Sequence, residues 1–329
     1  MGFQEEAVVR GVMKGIGVVL GIVVMGCARV FAEGDVEALV SGLEGVVEAE
    51  VCVYGLRDDG GRKMDCLEVF EGREGGVMGV YHALKNGVFS VHLGKSDDLV
   101  EWEHVVALDA HGSQATMWVC EGGGYLLAYE KDAPDSCWVR LRYYEGLAGL
   151  SSGKFLREFD VPRTLAPTAE GTPSIEYVRM RDGKLEGSEI GLRFHYFRDV
   201  RVDQLARGTL RDFGKWEAEV SEAVNAELRG NGWKGNLGDR SGFDWKGKRY
   251  YLQEVQGRRG DWGSWRVLLC DAAGMPLEEL EMRTGSGSRA FCNPGVRWIG
   301  GRLVVTMFIP GEGSAGGESG EMLFVVPGK

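Results

Sequence analysis

The sequence predicts an all-β chain folded as a five-bladed β-propeller, and three observations predict it. The first is a repeated hairpin. In Phe243 to Glu254, F-D-W-K-G-K-R-Y-Y-L-Q-E, an aromatic strand runs into the turn Lys246-Gly247-Lys248 and returns as Arg249-Tyr250-Tyr251-Leu252. Glycine takes the positive φ of such a turn at no steric cost. The same order recurs in Trp118 to Glu130, W-V-C-E-G-G-G-Y-L-L-A-Y-E, in Val296 to Val305, V-R-W-I-G-G-R-L-V-V, and more faintly in Tyr177 to Lys184. The second observation is spacing: successive turns stand roughly 50 to 65 residues apart, a period of repeat architectures. The third is periodicity. Helical spacing is poor outside one short segment, while a 44% hydrophobic and 10% aromatic composition supplies a packed core. Sheets that each pack a face on the next, closed in a ring, solve the problem of exposed strand edges. Five units of about 60 residues fit the chain.

In chain order, Arg10 and Lys14 precede the apolar run Gly15 to Gly26, followed by Cys27-Ala28-Arg29-Val30-Phe31-Ala32. A basic start, an apolar run of about a dozen residues and a small-residue cleavage context make a secretory signal peptide. The expected signal is 1–32, with 33–329 as the propeller domain. Gly26-Cys27 also resembles the end of a bacterial lipobox, which would anchor the protein by lipid through Cys27. The run falls short of the roughly 20 residues of a spanning helix. A secreted or periplasmic monomer is expected, with no membrane span after processing.

Six further cysteines follow: Cys52, Cys66, Cys120, Cys137, Cys270 and Cys292. Cys52–Cys66 and Cys120–Cys137 are close enough in sequence for local disulfides, although Cys120 and Cys270 sit in apolar strand patterns that suit free thiols. No Cys or His spacing suits a metal, and no cofactor is expected. A net charge of −11 excludes nucleic acid as a partner, since phosphate binding needs a basic surface. That charge fits neutral or cationic ligands.

Residues 35–50 read as a short helix or a strand. Val77 to Trp102 reads as the first unit, with a hairpin through Asn86-Gly87. Phe194 to Trp216, Gly263 to Leu269 and Val296 to Val326 echo parts of it, and residues 217–229 are the one helical insertion.

Ser96-Asp97-Asp98-Leu99-Val100-Glu101-Trp102 resembles the S-x-D-L-x-x-W signature that ends the first blade of five-bladed glycoside hydrolases, families 43 and 32 and their relatives. Gly124 to Tyr129 resembles their G-x-Y-Y-L strand. Glu170-Gly171-Thr172-Pro173 resembles the E-G-P motif that opens their third blade and carries the general acid, with Thr172 inserted. Phe291-Cys292-Asn293-Pro294 sits where the last inner strand of such propellers begins. The resemblance implies a propeller acting on an oligosaccharide or polysaccharide. It also implies an Asp on the inner strands of the first and second blades. Val80-Tyr81-His82-Ala83 and Ser113-Gln114-Ala115-Thr116-Met117, read as those strands, carry none.

Glycoside cleavage requires two carboxyl groups across the bond, one of them an acid of raised pKa. Glu170 is the candidate acid and Asp109 the candidate base. Candidate substrate-binding residues are His82, Glu130, Glu254, Asp239 and Arg240, with Trp118 and Trp262 as faces on which sugar rings stack. Each has a plainer reading: Glu130 and Glu254 as blade-to-blade hydrogen bonds, Asp239-Arg240 as a loop tie, His82 as a structural histidine, the tryptophans as core. Two functions stay open, a secreted glycosidase and a propeller that binds a glycan or protein without cleaving it.

Overall fold

A computed structural model describes residues 34–198 and 202–328, the side chain of Asp239 excepted. Residues 1–32, with the expected signal and Cys27, lie outside the described residues. The chain divides into two compact units, Met1–Gly42 and Leu43–Lys329. Residues 34–43 are helical (α1), which settles the ambiguity of 35–50 in favour of a helix over its first part. No helix among the described residues is long and apolar enough to cross a membrane.

The second unit is a propeller of twenty described strands in five antiparallel groups of four. Blade 1 holds β2 (Asp65–Glu71), β3 (Val77–Lys85), β4 (Val88–Ser96) and β5 (Glu103–Ala110). Blade 2 holds β6 (Gly112–Val119), β7 (Tyr125–Ala133), β8 (Ser136–Tyr144) and β9 (Arg157–Asp160). Blade 3 holds β10 (Ala169–Arg181), β11 (Lys184–Phe197), β12 (Asp203–Arg211) and β13 (Lys215–Val220). Blade 4 holds β14 (Leu237–Trp245), β15 (Lys248–Gln256), β16 (Trp265–Cys270) and β17 (Pro276–Glu279). Blade 5 joins β18 (Cys292–Ile299), β19 (Arg302–Ile309) and β20 (Gly320–Val325) to β1 (Cys52–Tyr54), which pairs with β20 from Cys52–Phe324 to Tyr54–Met322. The first strand of the unit thus completes the last blade, and the ring is closed by backbone hydrogen bonds. Blades 2 and 3 share one parallel bridge, Ala169 to Cys137. The first strands of successive blades touch in a ring, β2–β6–β10–β14–β18–β2.

The repeated hairpins of the sequence are the turns between the first and second strands of blades 2 to 5. In blade 1 the sequence reading slips by one strand. The Asn86-Gly87 turn joins β3 to β4, so Val80-Tyr81-His82-Ala83 is the second strand, and the inner strand is β2. The helix expected at 217–229 is also corrected. Residues 215–220 form β13, because Trp216, Ala218 and Val220 alternate onto the core while Lys215, Glu217 and Glu219 face outward. Only Glu222–Gly230 is helical (α3), with Val224 and Leu228 packed between blades 3 and 4. A short α2 (Leu147–Ser151) lies between β8 and β9.

Core clusters fill the seams between blades. Val80, Val91 and Leu93 of blade 1 meet Met117, Leu127 and Tyr129 of blade 2. Leu67, Val69 and Tyr81 of blade 1 meet Val304, Leu323 and Val325 of blade 5, with Leu99 and Trp102 of the S-D-D-L-x-x-W stretch buried there.

Each inner strand begins with the same irregularity. Register shifts fall at Asp65/Glu68, Ser113/Thr116, Gly171/Ser174, Leu237/Arg240 and Cys292/Gly295. Cys66, Gln114, Thr172 and Asn293 there have φ between 47° and 54°. A β-bulge of this kind turns the strand and re-aims its side chains. It also frees a backbone N–H from the ladder. The N–H of Gln114 donates to His82 Nδ1 at 3.2 Å, that of Thr172 to Glu130 Oε2 at 3.0 Å, and that of Asn293 to Glu254 Oε2 at 2.5 Å. The N–H of Cys66 donates to Glu321 Oε2 at 2.8 Å. In all four cases the acceptor stands on the preceding blade of the ring.

Removing one acceptor leaves a buried N–H without a partner. Glu254→Ala should therefore lower unfolding free energy by about 1–3 kcal/mol. The effect is measured as a fall in urea midpoint at unchanged slope. An unchanged midpoint would mean that the bulges hold without these acceptors.

Candidate functional site at the channel mouth

The bulges gather at one end of the channel, and the residues beside them form its mouth. Blade 1 contributes Asp65, which precedes Cys66 at the head of β2. The inner strand of the first blade therefore does carry a carboxylate, missed in the sequence because that strand was read as β3 instead of β2. Asp65 lies opposite His82 in the β2–β3 ladder, and its Oδ1 is enclosed without a hydrogen-bond partner. Burial raises its pKa, against the smaller opposing pull of Lys63 and Arg57.

Blade 2 places Gln114, not an acid, at its bulge. Asn293 Nδ2 donates to Gln114 Oε1 at 2.8 Å, a bridge from blade 5 to blade 2 across the inner strand of blade 1. Deeper in the channel, Glu68 Oε1 accepts from Thr116 Oγ1 at 3.1 Å, Met117 N at 3.3 Å and Arg297 Nη2 at 2.5 Å. Glu68 thereby ties blades 1, 2 and 5.

His82, Glu130 and Glu254 do reach this level, each on the second strand of its blade, and each is spent on a bulge N–H. Because His82 Nδ1 accepts the N–H of Gln114, its neutral ring carries the proton on Nε2. Burial, helped by the neighbouring His92, pushes the His82 pKa down to about 4. Phe89 packs edge-on against its ring at 4.8 Å. Glu130 has its pKa raised by burial, with His195 pulling the other way. His195 Nε2 stands 3.8 Å from Glu130 Oε2 and 4.0 Å from Asp203 Oδ1. Glycine makes room for two of these carboxylates: a Cβ on Gly171 would collide with Glu130 and one on Gly238 with Glu254.

Glu170, expected as the acid, stands at the head of β10 but is 1% exposed. Its Oε1 accepts three backbone N–H groups, from Thr164, Leu165 and Ala166, at 2.5–2.8 Å. Its Oε2 is enclosed without a partner. The carboxylate anchors the irregular segment that leads from β9 into β10.

Asp109, expected as the base, is on β5, the outermost strand of blade 1. Its Oδ2 takes Tyr129 Oη at 2.6 Å and Lys131 Nζ at 2.8 Å, with Arg142 Nη2 at 3.3 Å and Arg140 Nη1 at 3.5 Å. These bonds and charges outweigh burial and hold its pKa below the usual carboxylate range. It ties blade 1 to blade 2 and does not join the mouth. The correction has a simple cause: Asp109 is next to β6 in sequence, but an outer strand ends there.

Arg240 is buried and donates through Nε to Gln253 Oε1 at 2.7 Å, with its guanidinium 5.5 Å from the Tyr251 ring. The side chain of its neighbour Asp239 lies outside the described set. Trp118 stands near the far end of β6, away from the bulges, and packs on the core between blades 2 and 3, so it offers no face to the mouth. Trp262 is 49% exposed on the turn Trp262–Ser264 between β15 and β16, at the same end of the propeller as the bulges, and its backbone N–H donates to Glu312 Oε2 at 3.3 Å. Phe89, 38% exposed at the β3–β4 hairpin, is a second aromatic there that sequence reading did not single out.

All six described cysteines are free thiols. Cys52 is on the closing strand of blade 5 while Cys66 is in the blade 1 bulge, and Cys120 and Cys137 lie at opposite ends of blade 2, so neither local bridge forms. Among the described residues no three His, Cys, Asp or Glu are grouped to hold a metal ion.

No family model matches this sequence, and no curated protein does either. Solved structures do match. A glycoside hydrolase superposes with a TM-score of 0.61 at 11% identity, over 86% of this chain and 92% of its own. A β-xylosidase superposes with a TM-score of 0.52 at 10% identity, over 84% of this chain and 95% of its own. An exo-1,5-α-L-arabinanase from a bovine ruminal metagenomic library superposes with a TM-score of 0.52 at 11% identity, over 80% and 92%. The chain thus has the all-β propeller fold of glycoside hydrolases. At such identity the likeness concerns the fold.

The buried histidines make stability pH-dependent. The pKa values of His82 and His92 are both pushed down to about 4, by burial first and then by neighbouring histidine. The unfolded chain, with ordinary imidazoles near 6.5, therefore takes up protons first as pH falls. Stability should drop between pH 6.5 and pH 4, by an upper limit on the order of 3 kcal/mol per histidine. Asp65 and Glu130, raised by burial, offset part of this in the same range. Urea midpoints measured from pH 7 to pH 4 test it, and a flat profile would refute it.

Proposed function

We propose that this protein is a carbohydrate-binding propeller of glycosidase fold, which holds an oligosaccharide or polysaccharide at the channel mouth without cleaving it by the two-carboxylate route. The observation that carries the reading is the state of Glu170. A general acid must reach the glycosidic oxygen with a proton. Here one carboxylate oxygen is occupied by three backbone N–H groups and the other is enclosed. At the second-blade bulge the side chain is the neutral Gln114, already bonded to Asn293.

What remains suits binding. Asp65, half-buried at the head of β2 with its Oδ1 enclosed, places a carboxylate beside the mouth. Gln114 and Asn293 supply amide groups, and Phe89 and Trp262 supply exposed aromatic faces. The net charge of −11 favours neutral sugar over anionic polymers. The names of the similar structures, a xylosidase and an arabinanase, make pentose-containing chains the first ligands to try.

One observation favours hydrolysis as the second reading. Asp65 and Glu170 head the inner strands of blades 1 and 3, where the resembling enzymes keep base and acid. That reading needs residues 164–166 to move off Glu170.

The deciding experiment pairs a sugar-release assay with calorimetry on xylo- and arabino-oligosaccharides, using wild type, Asp65→Asn and Glu170→Gln. We expect no release above the Glu170→Gln background, and binding weakened by Asp65→Asn by about 1–3 kcal/mol, the value of one buried hydrogen bond. Turnover by wild type that both variants abolish would overturn the binding reading.

The basic start and apolar run of residues 10–26 support export to the periplasm or beyond. Mass spectrometry of protein made in a secreting bacterial host should show a chain shortened by at least its first 26 residues. A full-length cytosolic product would refute export.

A further inference from the structure

The ends of the inner strands opposite the bulges carry a feature that the channel mouth does not use. Trp245 closes β14 and Trp298 lies one residue before the end of β18, so the two indoles meet across the seam between blades 4 and 5. They are stacked, with ring centroids 5.8 Å apart and planes within 14°. Trp298 is 42% exposed, yet it is not a loose side chain. Its Nε1–H donates to the carbonyl of Asp244 at 2.8 Å, which pins one edge of the indole to the backbone of blade 4. Stacking on Trp245 covers part of the ring, and the rest faces a cavity of about 610 Å³. Glu48, Glu50 and Arg302 line the same cavity, with Pro327.

We propose that this cavity is a second carbohydrate site, on the opposite face of the propeller from the mouth, which takes one or a few neutral sugar rings of a longer chain. The inference rests on the reading that the protein binds glycans, and names a further place where it does so. The chemistry selects the occupant. A fixed, flat aromatic face matches the C–H face of a pyranose or furanose ring. Two carboxylates and a guanidinium beside it match hydroxyl groups, which both donate and accept. A wholly apolar partner would leave three charged groups desolvated, which is costly. An anionic ligand meets two carboxylates against one guanidinium, in a chain of net charge −11. The volume lies in the range of small-ligand sites. Because the indole is held in place before binding, little freedom is lost when a ring stacks on it.

Affinity gel electrophoresis tests the site, with soluble arabinan, xylan or galactan cast in the gel. The proteins compared are wild type, Trp298→Ala, Arg302→Ala and Asp65→Asn, each checked for an unchanged thermal midpoint. Wild type should be retarded by at least one polymer, and Trp298→Ala should raise the apparent Kd for it by tenfold or more. Arg302→Ala should raise it by a smaller factor, which keeps the test valid should Trp298→Ala fail to fold. Calorimetry with trisaccharides at the mouth should stay within twofold for Trp298→Ala and change for Asp65→Asn. If both Trp298→Ala and Arg302→Ala run as wild type in a polymer that retards wild type, the second site is wrong and the mouth reading stands. If no polymer retards wild type and no trisaccharide binds, both readings fall.

Discussion

The structure depends on one repeated constraint: the inner strands of blades 1, 2, 3 and 5 each start with a bulge whose backbone N–H donates to an acceptor on the blade before it. A buried N–H without a partner costs about as much as a lost hydrogen bond. His82, Glu130, Glu254 and Glu321 meet that need for blades 2, 3, 5 and 1. The bond does two things at once. It fixes the angle between neighbouring blades at the channel, where the sheets come closest. It also holds the bulged residues in the left-handed region, which aims the side chains beside them at the mouth. Architecture and site are set by the same atoms.

This explains why a mouth rich in carboxylates assembles no free acid pair among the described side chains. Glu130 and Glu254 serve as acceptors within the ring, Glu68 binds Arg297 and blade 2, and Glu170 anchors residues 164–166. Each of these groups is held by what it accepts. Asp65 differs, since its Oδ1 has no donor and burial raises its pKa. The Gln114–Asn293 bridge gives a physical reason for an amide at the second-blade position: a carboxylate there would add charge close to Asp65 and Glu68. A neutral pair spans the first blade without that repulsion.

Much of the fold was legible because the hairpin turn between first and second strands demands glycine, and glycine recurs there at Gly122, Gly183, Gly247 and Gly301 with positive φ. The slip in blade 1 has the same origin. Asn86-Gly87 is the stronger hairpin signal, while the true first turn, Gly72 to Gly76, holds Arg73 and Glu74 and reads as a loop. The bulges hid the heads of the inner strands, because an extra residue breaks the period-two alternation by which a strand is recognised. Asp65, three residues before Glu68 across such a break, was lost for that reason. Glu170 was found through its motif, but its partners were not. Three consecutive N–H groups of an irregular segment leave no trace in side-chain pattern.

A propeller has two ends, and the chain treats them differently. At the bulge end, backbone groups freed from the ladder compete for every nearby acceptor, so polar side chains there are largely spoken for. At the hairpin end the N–H groups that reach the next blade lie in the turns: that of Gly300 donates to Glu71 Oε1 at 2.6 Å and that of Arg73 to Tyr125 Oη at 3.2 Å. The strand residues just before those turns differ in what they meet. Trp118 shows the inward choice, packed on the core between blades 2 and 3. Trp298, near the same point of its strand, shows the outward one, pinned through its N–H with its ring left open. An exposed, immobilised indole forgoes the burial energy that a large apolar side chain usually contributes. In a ring whose seams are otherwise filled by core residues, that forgone burial has a physical rationale when a flat ligand supplies the missing contact.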